Sequence, residues 1–142
     1  MASRIWVIMK MSERLRVVTK IGDIPKIAEE IAKNKNVKAV YLFGSHATGM
    51  AYSLSDIDLC VIGKLDDKEK LKAMSFSSDN LDISFFEELP IYIKFRVLNE
   101  GRLLFVRDND YLNVLKIKIM REYIDFKPMI NKYIQRVIYA QS

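Results

Sequence analysis

The sequence predicts an α/β (α+β) fold: a small mixed β-sheet covered by helices, closed by a long C-terminal helix. Three observations carry that expectation. Short runs of β-branched and aromatic residues stop at turn residues, as buried strands do. Stretches with apolar residues every three or four positions lie between and around them. One such stripe then continues through the last quarter of the chain. The chain has 142 residues, half of them hydrophobic and 29% charged. That is enough apolar material for one core and the usual length of one folded unit.

Residues 1–20 contain two apolar bursts, Ile5–Met9 and Val17–Val18, and are read as an N-terminal extension of uncertain structure. Residues 21–142 are read as a single domain. Asp23 can cap a helix with Pro25 in its first turn, and Ile24, Ile27, Ala28, Ile31 and Ala32 follow helical spacing. Val37–Phe43 reads as a buried strand, ended by Gly44-Ser45, which opens a short helix. Ser55–Ile62 reads as a second strand and Leu81–Phe86 as a third. Asp66–Met74 between them is a crossover helix or a charged turn. A helix begins after Glu87 or Glu88, with Pro90 in its first turn, and runs to about Glu100, where Gly101 stops it. Arg102–Val106 is a candidate fourth strand. From Asp108 the pattern predicts a helix over 108–140, striped by Leu112, Leu115, Ile119, Tyr123, Phe126, Ile130, Ile134 and Val137. The stripe keeps its phase through Pro128, which predicts a kink rather than an end.

Composition narrows the chemistry. One cysteine, Cys60, and one histidine, His46, exclude a cysteine-built zinc site and the usual histidine-rich metal centres. A lone cysteine suits a reducing cytoplasm. No apolar run reaches the roughly 18–20 residues that a membrane span requires. The sequence therefore predicts a soluble, cytoplasmic protein. The formal net charge of +5 favours phosphate-bearing partners, although ordinary solvated lysines on helix faces account for it equally well.

Two short segments point to a site. Gly44-Ser45 directly follows a buried strand, where glycine admits close approach of a phosphate and free N–H groups at a helix start attract anions. Gly44 and Gly49 have the spacing of a P-loop, but Met50 and Ala51 stand where that motif needs Lys and Ser or Thr, so a P-loop NTPase is excluded. Alone, such a Gly-Ser is usually just a turn. The second segment is Asp56-Ile57-Asp58 in an apolar strand. Residues i and i+2 share a face, with Cα atoms roughly 6.5–7 Å apart. Ile57, Leu59 and Val61 then turn to the opposite face, into the core. Adjacent like charges repel, so a cation belongs between them unless they merely face water at a frayed strand end. Oxygen ligands suit Mg²⁺ or Mn²⁺. In Leu81-Asp82-Ile83-Ser84-Phe85-Phe86, Asp82 lies on the polar side of another alternating strand. If the two strands are neighbours, Asp56, Asp58 and Asp82 converge beside Gly44 and Ser45. That constellation fits a two-metal phosphoryl- or nucleotidyl-transfer site.

Gly44-Ser45, ten intervening residues and Asp56-x-Asp58 resemble the signature of the polymerase-β-like nucleotidyltransferases. FGSHATGMAYSLSDIDLCV is similar to the minimal nucleotidyltransferase (MNT) branch, and Asp82 falls where that family has its third aspartate. NEGRLLFVRD and the long C-terminal helix extend the resemblance to the MNT antitoxins paired with HEPN ribonuclease toxins, from about Ile21 onward. Many members carry arginine in the short helix where this chain has His46 and Thr48. The resemblance implies that residues 21–142 form a nucleotidyltransferase domain in which Asp56, Asp58 and Asp82 hold Mg²⁺, with two ions expected. It implies further that Asp82 helps deprotonate the acceptor and that Gly44 and Ser45 grip the triphosphate of ATP. The implied reaction transfers AMP to a hydroxyl, by likeness a tyrosine of the HEPN partner. Two alternatives stay open: a steric antitoxin without catalysis, and transfer to RNA or a small-molecule hydroxyl.

Other features have plainer readings. His46 can touch a phosphate or the acceptor, but a surface helix residue is the simpler account. Cys60 reads as a small buried hydrophobe. Ser53 and Ser55 read as shaping the turn into the strand, with contact to a metal-bound water as the alternative for either. Asp66-Asp67 and Glu87-Glu88 are helix-start acids rather than a second metal site. Ile117, Met120 and Ile124 form a second ridge on the C-terminal helix, which either joins the core or meets a partner.

Overall fold

The computed structural model describes residues 19–44 and 56–140. Its elements are α1 (Ile24–Ala32), β1 (Val37–Phe43), β2 (Ile57–Gly63), α2 (Asp67–Met74), β3 (Leu81–Phe85), α3 (Ile91–Glu100), β4 (Arg102–Val106) and α4 (Asn109–Ala140). The strands form one mixed sheet in the order β3-β2-β1-β4. β1 runs antiparallel to both β2 and β4, and β2 runs parallel to β3. A parallel pair needs a crossover, and α2 supplies it. Its start carries a full capping box: the Glu69 N–H donates to Asp66 Oδ1 at 2.7 Å, and the Asp66 N–H donates back to Glu69 Oε1 at 3.3 Å.

Both faces of the sheet are buried. Ile24, Ala28 and Ile31 of α1 and Ala73 of α2 pack on Val40, Leu42, Ile57, Leu59, Val61 and Ile83. Val97 of α3 and Leu112 and Ile119 of α4 pack on Ala39, Tyr41, Cys60 and Ile62 on the other face. This two-sided burial explains the nearly unbroken apolar run of β1. Alternation along β1 feeds both cores, and a register shift between Val37 and Ala39 puts Val37 on the same side as Val40 and Leu42. Arg107, just beyond β4, closes the fold: its Nε donates to the Val37 carbonyl at 2.9 Å, and its guanidinium also donates to the carbonyls of Ala32 and Asn34. Those carbonyls belong to the end of α1 and the loop after it, where acceptors lack helical partners.

Several expectations need correction. Asp23 does not cap α1 through its side chain, because a 3₁₀ turn over Ile21–Asp23 already places it in helical conformation. β2 begins at Ile57, leaving Asp56 just before the strand, and extends to Gly63. Phe86 leaves the sheet for a 3₁₀ turn over Phe86–Glu88. Pro90 therefore stands as the N-cap of α3 rather than inside its first turn. Gly101 does follow α3, but with φ −71° it is not a left-handed stop. What it supplies is room: a Cβ there would meet the Val97 carbonyl oxygen at 2.2 Å.

α4 runs unbroken through Pro128. Its predicted stripe is core only over its first part. Leu112 and Ile119 are buried, Leu115, Tyr123, Phe126 and Ile130 half-buried, and Ile134 and Val137 exposed. The Tyr123 ring stacks on Phe95 of α3, centroids 4.0 Å apart. The second ridge does not join the core: Ile117, Met120 and Ile124 are more than half exposed, at 53%, 52% and 59%. Residues 1–18 of the 1–20 extension, the short helix expected after Gly44, and Ser45, His46, Ser53 and Ser55 lie outside the described residues.

Candidate active site

Asp58 and Asp82 are register partners across the parallel pair β2–β3. The pleat sends Ile57, Leu59, Leu81 and Ile83 into the α1–α2 core, so the two aspartates between them share the opposite face. Asp58 is half-buried and Asp82 exposed. Across the antiparallel pair, Asp58 faces Phe43, the last residue of β1. The chain then turns at Gly44, whose φ of +80° lies in the left-handed region. A Cβ at Gly44 would meet Asp58 Oδ2 at 2.7 Å. The backbone conformation favours glycine there, and any side chain would also displace the Asp58 carboxylate.

Asp56 is exposed, one residue ahead of β2. Its neighbour Ile57 is fixed by an N–H bond to the Asn80 carbonyl at 2.6 Å. Asp56 therefore stands at the same sheet end as Asp58 and Asp82. Among the described residues, no three Asp, Glu, His or Cys side chains form a cage that could hold an ion by themselves. The donor set still fits a hard divalent cation, since Mg²⁺ takes one or two protein carboxylates and fills its remaining positions with phosphate oxygens and water. The absence of a side chain at Gly44 lets the turn pass directly over the Asp58 carboxylate.

Cys60 follows Asp58 on the same face but is fully buried, and burial pushes its thiol up to about 12. It is a core residue and no nucleophile, as the sequence indicated. Arg96 was not singled out by the sequence. With Phe43, Gly44, Ile93 and Glu100 it lines a cavity of about 140 Å³ beside the turn. Its Nε lies 3.5 Å from Glu100 Oε2 in an exposed pair. No spacing rule connects a residue of α3 to a turn some fifty positions earlier, so only the folded chain could reveal it. Another cavity, about 280 Å³ between α1 and α2, is lined by Lys33, Glu69, Lys72 and Phe76 on the other face of the sheet, away from the aspartates.

The sequence profile of the family described as polymerase beta, nucleotidyltransferase, matches residues 25–110, which include β1, Gly44 and all three aspartates. A Methanocaldococcus jannaschii protein named as a candidate protein adenylyltransferase is 35% identical over 69 residues, or 49% of this chain. The chain matches 56% of that relative's length. Among solved structures, a chain from a toxin–antitoxin crystal structure with AMP-PNP superposes with a TM-score of 0.65 at 20% identity, covering 80% of this chain and 98% of the other. A chain from the complex of a tri-AMPylated Shewanella oneidensis HEPN toxin with its MNT antitoxin gives a TM-score of 0.59 at 20% identity, covering 82% and 94%. At such identity these two structures establish a shared fold.

Proposed function

Since this chain belongs to the polymerase beta nucleotidyltransferase family, we propose that it transfers AMP from ATP to a hydroxyl of a partner HEPN ribonuclease toxin, a tyrosine hydroxyl by preference, and so acts as an antitoxin. The observation that carries the reading is the Asp58–Asp82 pair beside Gly44. Two aspartates in register on one face, beside a left-handed glycine turn, fit nucleotidyl transfer, because side-by-side like charges repel unless a cation lies between them. The similarity to structures whose names include AMP-PNP and a tri-AMPylated HEPN toxin supports the choice of ATP and of a protein acceptor.

In this reading Gly44 and Ser45 seat the triphosphate. Asp56, Asp58 and Asp82 hold Mg²⁺, with Mn²⁺ as a substitute, and the bound ions neutralise phosphate charge. Asp82 also helps take the proton from the acceptor hydroxyl. The acceptor oxygen bonds to the α-phosphorus, the bond to the bridging oxygen toward the β-phosphate breaks, and pyrophosphate leaves. Residues 21–142 act as one nucleotidyltransferase domain. The exposed ridge Ile117, Met120 and Ile124 on α4 is the surface offered to the partner. No described helix is long and apolar enough to cross a membrane. A single cysteine, free and buried, fits the cytoplasm as the place of action.

The test is the intact mass of the HEPN protein encoded alongside this chain, after incubation with it, ATP and Mg²⁺. Mass added in AMP-sized steps, absent with Asp58→Asn, is the expected result. A tight complex with no added mass would replace the enzyme with a steric antitoxin. Neither mass nor complex would overturn the HEPN assignment and direct the search to RNA or a small hydroxyl compound.

A further inference from the structure

Two buried polar residues join distant parts of the chain at the site. Thr19 and Asn80 are 7% and 8% exposed, the buried polar residues among those described. The Thr19 N–H donates to Asn80 Oδ1 at 2.7 Å, and Asn80 Nδ2 donates to the Thr19 carbonyl at 2.7 Å. The Asn80 side chain thus imitates a strand neighbour, satisfying both backbone groups of one residue 61 positions away. The Ser78 hydroxyl donates to Asn80 Oδ1 at 3.0 Å and lies 2.6 Å from the Thr19 hydroxyl. The Asn80 carbonyl accepts the Ile57 N–H at 2.6 Å, and Ser78 and Leu81 exchange backbone bonds across the same turn.

The position of this cluster matters more than its existence. Asn80 is bonded through its main chain to the residue directly after Asp56, and it lies two residues before Asp82. Its side chain is meanwhile held from outside the sheet by Thr19. One short turn therefore joins the start of β2 to the start of β3, and with them the placing of Asp56 relative to Asp82. A buried amide is costly unless its bonding groups are satisfied, and here both ends of the amide are. An anchor needed only for stability could sit anywhere along the sheet.

We propose that Asn80, gripped by the Thr19 backbone, is a positioning residue that holds Asp56 and Asp82 at the spacing needed to share a divalent cation. The inference rests on the reading of the three aspartates as cation ligands. Outer partners that orient ligands typically contribute about 10–100-fold to affinity or activity, and loss of the clamp falls in that range.

The experiment titrates Mn²⁺ into the full chain in the presence of a non-hydrolysable ATP analogue, followed by electron paramagnetic resonance. The proteins are wild type, Asn80→Ala, Thr19→Pro and Asp58→Asn. Asn80→Ala removes the amide but keeps the main-chain bond to Ile57. Thr19→Pro removes the opposing N–H from outside the sheet, so it controls for damage to β3. Circular dichroism fixes a temperature at which every variant is folded. The expected result is Mn²⁺ affinity lost in Asp58→Asn and weakened about tenfold in both Asn80→Ala and Thr19→Pro. The double variant should be no weaker than either single one, because both break the same clamp. In transfer assays kcat should fall with KM for ATP nearly unchanged. Wild-type affinity in folded Asn80→Ala, with Asp58→Asn dead, overturns this inference alone. Equal affinity in wild type and Asp58→Asn overturns the ligand reading and this inference with it.

Discussion

The Asp58 carboxylate occupies the space that a side chain at Gly44 would need: a Cβ there would come within 2.7 Å of Oδ2. β1 and β2 are antiparallel with Phe43 opposite Asp58, so the residue after Phe43 must pass over the carboxylate. Gly44→Ala then forces either the turn or Asp58 to move. The strained φ of +80° costs about 1–2 kcal/mol for alanine. Transfer should fall by at least about tenfold, more than that loss of stability explains while the protein stays folded. Denaturant unfolding and initial rates on the same preparation separate the two effects.

Arg96 shares a cavity with Gly44 and Phe43, close to where a triphosphate would sit. Its pair with Glu100 is exposed on both sides, so Arg96→Ala should change stability by less than about 0.5 kcal/mol. KM for ATP should rise about tenfold, the equivalent of about 1.4 kcal/mol of binding. Steady-state kinetics over a range of ATP concentrations checks this, and an unchanged KM would remove Arg96 from the nucleotide site.

The exposed ridge of α4 contributes nothing to the core of this chain. Ile117→Asp with Met120→Asp should leave the melting temperature nearly unchanged, since both residues are over half exposed. The same pair should abolish co-elution with the HEPN protein and its modification. AMP transfer to a small hydroxyl compound, if detectable in wild type, should persist.

Cys60 supplies a pH dependence. In the folded chain burial holds the thiol neutral up to about 12, against an ordinary value of 9.0. Below pH 9 it is neutral in both states and adds no slope. Between pH 9 and about 12 the unfolded chain releases a proton that the folded chain retains, so stability falls as pH rises, by at most about 1.4 kcal/mol per unit. Cys60→Ala should flatten that part of the urea-midpoint profile. A disulfide reagent at pH 8 should react with the native protein only as fast as it unfolds.

Arg107 gathers carbonyls from Ala32, Asn34 and Val37. Arg107→Ala should cost about 1–2 kcal/mol, because several part-buried acceptors lose a charged donor together. Arg107→Lys should recover little, since a single ammonium cannot span the same fork. Denaturant midpoints for the two variants test it, and full recovery by lysine would show that only charge matters.

Much of this molecule is written in local patterns. Val37–Phe43 and Arg102–Val106 fold as strands over the residues their β-rich composition marks, and α4 runs its full expected length. The period of two sends Asp58 away from Ile57 and Leu59 whatever the rest of the chain does, and the Gly-Ser and Asp-x-Asp spacing is a fact of sequence. The ends of elements were harder to read. Asp23, Phe86 and Pro90 each sit in or beside a 3₁₀ turn, where one hydrogen bond shifts the boundary by a residue or two.

Register and neighbourhood belong to the tertiary structure. That β2 lies between β1 and β3, parallel to one and antiparallel to the other, brings Asp58 level with Asp82 and beneath Gly44. No periodicity encodes that Arg96 reaches the same turn or that Asn80 grips Thr19. The stripe of α4 reads alike from Leu112 to Val137, yet only its first part is buried, because the body of the fold ends before the helix does. Side-chain alternation follows from the geometry of two or three successive residues. Pairing between strands is chosen by the packing of both sheet faces at once, and that choice exists only when the whole chain has folded.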